Sequence, residues 1–343
     1  MSKKKPTIHE ISKALGISSA TVSRALNNSD ARISNETRKK VKKMAEKMGY
    51  QPNIVAASLR KGHSNIVGII VPFADRFFFS SIIRGVEEEL KKHGYHVIIC
   101  QSYEKLENEK DDINTLLSAQ VAGILISPSR ETTEIDHLID VIEKGKSLIM
   151  FDRTIGEIPA SSVSIDDYQG AYDMVTHLIR SGRKRIALFT GIQNVSVFKD
   201  RQRGYMSALE DHGVEINEDL ILTVRGFKET GAEAVEKLMA LNEPPDAIFS
   251  LSDFSALGAM KWLLEHGYRV PEDVFVAGFG NDPVTELLTP SMSSVDQKSL
   301  QMGVAVGKLF IEEMKNKSSE PKKIMLHPEI IIRNSSKILI ETK

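Results

Sequence analysis

The sequence of 343 residues predicts a mixed α/β protein in which a small helical front unit precedes two doubly wound parallel α/β subdomains. Three observations carry that reading. Two short helical patterns joined at a glycine, with a third beside them, occupy the first 50 residues. Short apolar runs then alternate with amphipathic stretches along most of the remaining chain. Charge is also divided: residues 1–64 hold 14 Lys and Arg against 4 Asp and Glu, a net of +10, whereas residues 65–343 hold 31 against 42, a net of −11. A basic segment of this kind attracts a polyanion, and the acidic remainder is repelled by one.

Thr7-Ile-His-Glu10 has the form of a capping box and starts the first helix, with Ile8, Ile11 and Leu15 at helical spacing and Gly16 as its stop. Ser18 caps a second helix through Leu26, with Val22, Ala25 and Leu26 facing inward and Ser19, Ala20, Ser23 and Arg24 largely on the open side. Ser34 caps a third, whose apolar stripe is Val41, Met44, Ala45 and Met48, and Gly49 ends it. Two short helices across a tight glycine turn make a helix-turn-helix unit, whose second helix fits a DNA major groove. The same spacing also suits a three-helix bundle without a ligand; the charge of +10 favours the nucleic-acid reading.

Thr7-Ile8, Ile11, Ala14, Gly16-Ile-Ser-Ser-Ala-Thr-Val-Ser-Arg-Ala-Leu-Asn27, Glu36-Thr-Arg38, Gly49-Tyr-Gln-Pro-Asn53 and Ala57-Ser-Leu-Arg60 together resemble the DNA-binding headpiece of lactose/galactose-type (LacI/GalR) repressors. The resemblance implies that Ser19, Ala20 and Arg24 read bases in the major groove, that Thr21 and Ser23 lie near phosphates, and that Thr7, Ser18 and Asn27 add contacts. It also implies a hinge helix from Asn53 through Ala57 to Arg60, with Leu59 as an apolar wedge in the minor groove. Pro52 suits the opening of that helix, because its missing amide hydrogen loses nothing there. The expected organisation is a headpiece over 1–50, a hinge helix and linker over 51–64, and a core over 65–343.

In the core, Ile66–Pro72, Val97–Cys100, Val121–Ile126, Ser147–Phe151, Ile186–Phe189, Ala247–Leu251 and Val274–Gly278 each read as a strand buried on both faces. The helical stretches between and after them are Ser80–His93, Glu109–Ala119, Ile135–Lys144, Ala171–Ser181, Arg201–His212, Glu229–Leu241, Ser255–His266 and Leu300–Lys315. So many units exceed one ordinary sheet, which predicts two subdomains with a ligand cleft at the strand carboxyl ends.

The resemblance extends here to the periplasmic-binding-protein-like core of the same repressors. It implies three passages between subdomains, near Ser164, Ser294 and Lys323, so that subdomain 1 covers about 65–163 plus 295–322 and subdomain 2 about 164–294 plus 323–343. It further implies effector contacts at Phe78, Phe79, Asp152, Arg153, Asp166, Arg201, Phe227 and Asp253. Carboxylates and guanidinium groups at strand ends hydrogen-bond sugar hydroxyls, and aromatic faces stack on a pyranose. Phe78 and Phe79 could equally be core residues, and Asp152 and Asp166 could be helix caps. Gly280 stands where the family commonly carries a ligand-binding aspartate, which leaves Asn281 or Asp282 to replace it.

Composition and motifs set the remaining expectations. The longest apolar runs, such as Ile66–Phe73, fall far short of the ~20 residues that span a bilayer, and no signal-peptide core follows the basic start, so a cytoplasmic protein is expected. The one cysteine, Cys100, forms no internal disulfide. No Gly-x-Ser-x-Gly elbow, HExxH helix or GxGxxG turn follows a strand, and Gly145-Lys-Ser147 precedes a strand instead of opening a helix. His93 and His96 have no third metal ligand nearby, so neither a metal, a cofactor nor an enzyme activity is expected. The expected partners are a pseudo-palindromic double-stranded operator, a second copy of the chain as a homodimer, and a small-molecule effector of the sugar class. The rivals are a sugar-binding protein without DNA function and an α/β enzyme acting on sugars or nucleotides.

Overall fold

The computed structural model describes residues 6–26, 33–50, 64–191, 195–316 and 320–337, and the chain divides into two compact units at Ser64 and Asn65. In the first unit, α1 (Ile8–Leu15) opens with the capping box: Glu10 accepts the Thr7 amide at 2.7 Å, and Thr7 Oγ1 accepts the Glu10 amide at 3.4 Å. Gly16 takes the left-handed conformation, φ +65°, that turns the chain into α2 (Ser19–Leu26). Ser34 caps α3 (Asn35–Met48) by accepting the Thr37 amide, and Gly49 closes it, again at φ +65°. Ile11, Val22, Ala25, Val41 and Ala45 meet in one small core, with Met44 and Met48 partly buried around it.

The second unit contains two six-stranded sheets with helices on both faces. Its elements run β1 (Ile66–Val71), α4 (Phe77–Lys92), β2 (His96–Gln101), α5 (Leu106–Ser118), β3 (Gly123–Ile126), α6 (Asp136–Glu143), β4 (Ser147–Phe151) and β5 (Ser161–Ile165). They continue with α7 (Asp167–Arg180), β6 (Ile186–Thr190), α8 (Ser196–Asp211), β7 (Ile221–Thr223), α9 (Lys228–Met239), β8 (Ala247–Ser250), α10 (Asp253–Glu265) and β9 (Phe275–Gly280). Last come α11 (Val284–Leu287), β10 (Ser293–Asp296), α12 (Ser299–Lys315), β11 (Lys323–Leu326) and β12 (Glu329–Ile331). The first sheet has the order β11-β5-β4-β3-β1-β2 and the second β12-β10-β9-β8-β6-β7. Every pairing is parallel except that of β10 with β12.

Two sequence expectations are corrected here. Val97–Cys100 lies in an edge strand rather than one covered on both faces: Ile98 is 38% and Ile99 46% exposed, because β2 pairs only with β1. Lys323 belongs with the first sheet, since β11 pairs with β5, so the third passage occurs beyond Leu326. The first two passages follow β5 and β10, at Asp166 and Gln297, close to Ser164 and Ser294.

Five strands, β5, β7, β10, β11 and β12, carry no long apolar run. In β5 and β10 buried serines stand in for apolar residues, with their hydroxyls paired: Ser294 Oγ donates to Asp253 at 2.6 Å, and Ser161 Oγ accepts the Lys322 amide at 3.0 Å.

Neighbouring helices approach at glycines. A Cβ on Gly303 of α12 would lie 2.1 Å from the Ile82 carbonyl oxygen of α4, and one on Gly258 of α10 would lie 1.9 Å from that of Lys228 on α9. These contacts allow no side chain without moving backbone. Replacing Gly303 by valine is therefore expected to cost about 3 kcal/mol in urea unfolding, as overpacking of a rigid contact does.

Candidate functional site

On the headpiece, the second helix presents Ala20 and Arg24 as exposed and Ser19, Thr21 and Ser23 as half-buried, while Val22 and Ala25 face the core. Ser18 and Thr7 hold the ends of the two helices: Ser18 Oγ accepts the Thr21 amide at 3.1 Å, and Thr7 is committed to its capping box. Ser19 Oγ pairs with His9 Nδ1 at 3.2 Å, which fixes its rotamer from the first helix. His9 is thus a supporting residue that spacing alone did not single out. Asn27, Asn53, Ala57, Leu59 and Arg60 lie outside the described residues.

In the core, the strand carboxyl ends of both sheets face one cleft. Arg201, on α8, is 5% exposed and spends its donors inside the protein: Nε on Asp167 at 2.6 Å, one terminal nitrogen on the Gln297 side-chain oxygen at 2.9 Å, the other on the Leu251 carbonyl at 3.3 Å. Its guanidinium also lies 3.8 Å from the centre of the Phe279 ring, a cation–π contact. Burial pushes the Asp167 carboxyl up to about 6 despite that partner.

Arg153 forms a bidentate pair with Glu104 at 2.7 and 2.8 Å and donates to the Pro128 carbonyl at 3.1 Å. Burial alone would raise the Glu104 carboxyl, but the Arg153 guanidinium and the Arg130 amide outweigh it and hold it below the usual range. Asp152, in the left-handed region at φ +62°, accepts from Ser127 Oγ at 3.1 Å, and burial raises its carboxyl against the pull of Arg153 and Arg201. From α5, the fully buried Glu109 accepts the Ser129 amide at 2.6 Å, Thr132 Oγ1 at 2.8 Å and His137 Nε2 at 2.8 Å. Together Glu104 and Glu109 brace the segment after β3. That segment, Arg153 and Ser196 line a cavity of about 280 Å³ whose walls carry hydroxyl and guanidinium groups.

Three of the residues expected to meet a ligand, Phe79, Asp253 and Asn281, are placed otherwise. Phe79 is 7% exposed and belongs to the core, whereas Phe78 on the same turn is only partly buried. Asp253 is 3% exposed, and its two carboxylate oxygens accept Ser294 Oγ at 2.6 Å and the Asp282 amide at 2.7 Å, so it braces the loop after β9. Asn281 turns away to accept from Arg333 at 2.9 Å. Asp166 caps α7 by accepting the Gln169 amide at 2.9 Å while remaining half-buried at the cleft. Gly280 adopts φ +142°, a conformation that favours glycine, and a Cβ there would lie 3.0 Å from the Asp253 carboxylate. An aspartate at this position would meet both a strained backbone and the Asp253 carboxyl.

Phe227 is 44% exposed beside the cleft. Glu104, Glu109, Asp167 and Gln297 are the residues that sequence reasoning missed; only Asp167, next to Asp166 at a strand end, carried a readable signal. Among the described residues no cluster of three or more His, Cys, Asp or Glu is placed to hold a metal ion, and no helix is long and apolar enough to cross a membrane.

Asp253 also sets a pH dependence. Burial pushes its carboxyl up to about 6 against the hydrogen bonds from Ser294 and the Asp282 amide, so its contribution to stability is greatest in acid and is lost as pH rises through about 6. Asp253→Asn is expected to gain stability relative to wild type between pH ~4 and ~7, on top of a constant offset for its altered hydrogen bonds, as read from urea unfolding at each pH.

Comparison with known proteins agrees with this architecture. Residues 64–333 match the family described as periplasmic binding proteins and sugar binding domain of the LacI family, and residues 7–53 match bacterial regulatory proteins of the lacI family. The chain is 31% identical over 333 residues to the HTH-type transcriptional regulator DegA of Bacillus subtilis, covering 97% of this chain and 98% of that one. It is also 31% identical to the HTH-type transcriptional repressor CytR of Escherichia coli, covering 97% of each chain. Among solved structures, the transcriptional regulator CelR in complex with cellobiose shares 28% identity at a TM-score of 0.73, covering 96% of this chain and 100% of that one. The lac repressor dimer bound to operator and the anti-inducer ONPF shares the fold at a TM-score of 0.87 and 21% identity, covering 97% and 99%.

Proposed function

This chain belongs to the LacI family of bacterial regulatory proteins, and from that premise we propose that it is a repressor that binds a pseudo-palindromic operator as a homodimer under the control of a small-molecule effector. The observation that carries the reading is the joining, in one chain, of a cationic helix-turn-helix to a two-subdomain core with a polar cleft. We assign operator contact to residues 6–61: Arg24 and Ala20 at base edges, Ser19 held by His9 beside them, and Leu59 as the minor-groove wedge. Two copies are needed because one small headpiece makes few contacts, whereas a twofold dimer reads two half-sites.

A sugar or sugar derivative is the effector class. The cleft wall offers hydroxyls and guanidinium groups, Phe227 offers an exposed ring, and the related regulator CelR was solved with cellobiose. Phe78, Arg153, Asp166, Arg201 and Phe227 are its proposed neighbours; reaching Arg201 requires displacing Gln297 or the Leu251 carbonyl. The protein acts by binding, without turnover, in the cytoplasm. The effector regulates only through different affinities for two arrangements of the subdomains.

Selection from a random duplex pool is expected to enrich one pseudo-palindrome with the full chain and none with residues 65–343; survival of sequence preference without the headpiece contradicts the assignment. Arg24→Ala should weaken the selected site by about 1–3 kcal/mol and relax one base position. Affinity should fall about tenfold or more between ~50 and ~200 mM salt. In thermal melts a sugar should raise the melting temperature by mass action, and stabilisation by nucleosides alone would replace the effector class.

A further inference from the structure

Arg153 and Arg201 have carboxylate partners, but a third cleft arginine does not. Arg76 precedes α4 in the first subdomain, half-buried, and among the described residues its side chain has no hydrogen-bond or ion-pair partner. Its guanidinium carbon lies 5.1 Å from the ring centre of Phe227 and 5.5 Å from that of Phe254. Both rings belong to the second subdomain, Phe227 just before α9 and Phe254 in the first turn of α10. A guanidinium over aromatic faces is held by the ring quadrupoles, more strongly as water is excluded.

The parts of this contact stand on rigid supports. Close approach of Gly258 to the Lys228 carbonyl, and of Gly231 to the Ser255 carbonyl, locks the starts of α9 and α10 together and fixes the spacing of the two rings. Thr230 Oγ1 donates to the Phe227 carbonyl at 3.0 Å and pins that residue further. On the opposite side, Gly85 meets the Leu300 carbonyl of α12 and ties α4 to its own subdomain. A contact between two such bodies is made or broken as a whole.

We propose that Arg76, Phe227 and Phe254 form a cation–π clasp that joins the two subdomains across the effector cleft. The clasp occupies part of the aromatic surface assigned above to the effector, so a ligand stacking there competes with Arg76 or recruits it as a third partner. Either way the free energy of the clasp enters the apparent affinity through the fraction of molecules in the binding-competent arrangement. This inference rests on the effector reading for its consequence alone; the measurement below requires neither effector nor operator, so the two fail separately.

The full chain with Cys100→Ser is labelled with nitroxides at Glu107→Cys on α5 and Glu236→Cys on α9, both exposed, and mixed with excess unlabelled protein so that one copy per dimer reports. Pulsed dipolar spectroscopy should give a single short distance. Arg76→Gln should add a longer population, Phe227→Leu with Phe254→Leu should add the same one, and all three changes together should add nothing further. An unchanged distribution in Arg76→Gln with a wild-type circular-dichroism melt overturns the clasp. Opening by Arg76→Gln but not by the aromatic pair overturns the assigned partners.

Discussion

The Arg201 guanidinium is the tie on which the core depends. It joins Asp167, just past the first passage between subdomains, to Gln297, at the second, while resting on Phe279. Lys298 extends the tie by pairing with Asp296 on the second passage and Glu329 beyond the third. Burying charge at such a place carries a desolvation cost, seen in the raised carboxyl of Asp167. The return is geometric: side chains at the three passages between subdomains are tied to one another.

Around that tie the two subdomains are built as rigid bodies. Helix pairs approach at glycines until no Cβ fits, so a small change in the cleft cannot dissipate by local repacking. The arginines and carboxylates facing the cleft are largely satisfied by one another, which preorganises its walls before any ligand arrives. Glu104 and Glu109 brace the segment after β3 through the Arg130 and Ser129 amides and the Thr132 hydroxyl, so the backbone of that wall is fixed by buried carboxylates. Glu104 and Tyr103 both occupy the left-handed region, at φ +64° and +52°, a backbone cost concentrated where the brace is made.

The charge division gives the two units separate tasks. A net of +10 on the first 64 residues draws that segment to a phosphate backbone, and −11 on the remainder keeps the sensing core away from it.

Much of this was legible in the residues. The Thr7–Glu10 capping box, the left-handed glycines at 16 and 49, the apolar stripe of α3 and the seven apolar runs are local signals, written at spacings of two or 3.6 residues. The resemblance of the headpiece string placed the reading helix, and alternation placed the doubly wound core. Serine-rich β5 and β10 were not legible, because a strand's partner, rather than its own hydrophobicity, decides whether a serine can be buried. Nor were the roles of Asp253, Asn281 and Arg201 legible, since each depends on a partner far along the chain, 96 residues away in the case of Arg201 and Gln297. Sequence by itself determined the elements, the charge division and the kind of surface each unit presents. Only the tertiary structure decided which polar groups brace the cleft and which remain for a ligand, because hydrogen-bond partners are chosen by proximity in space.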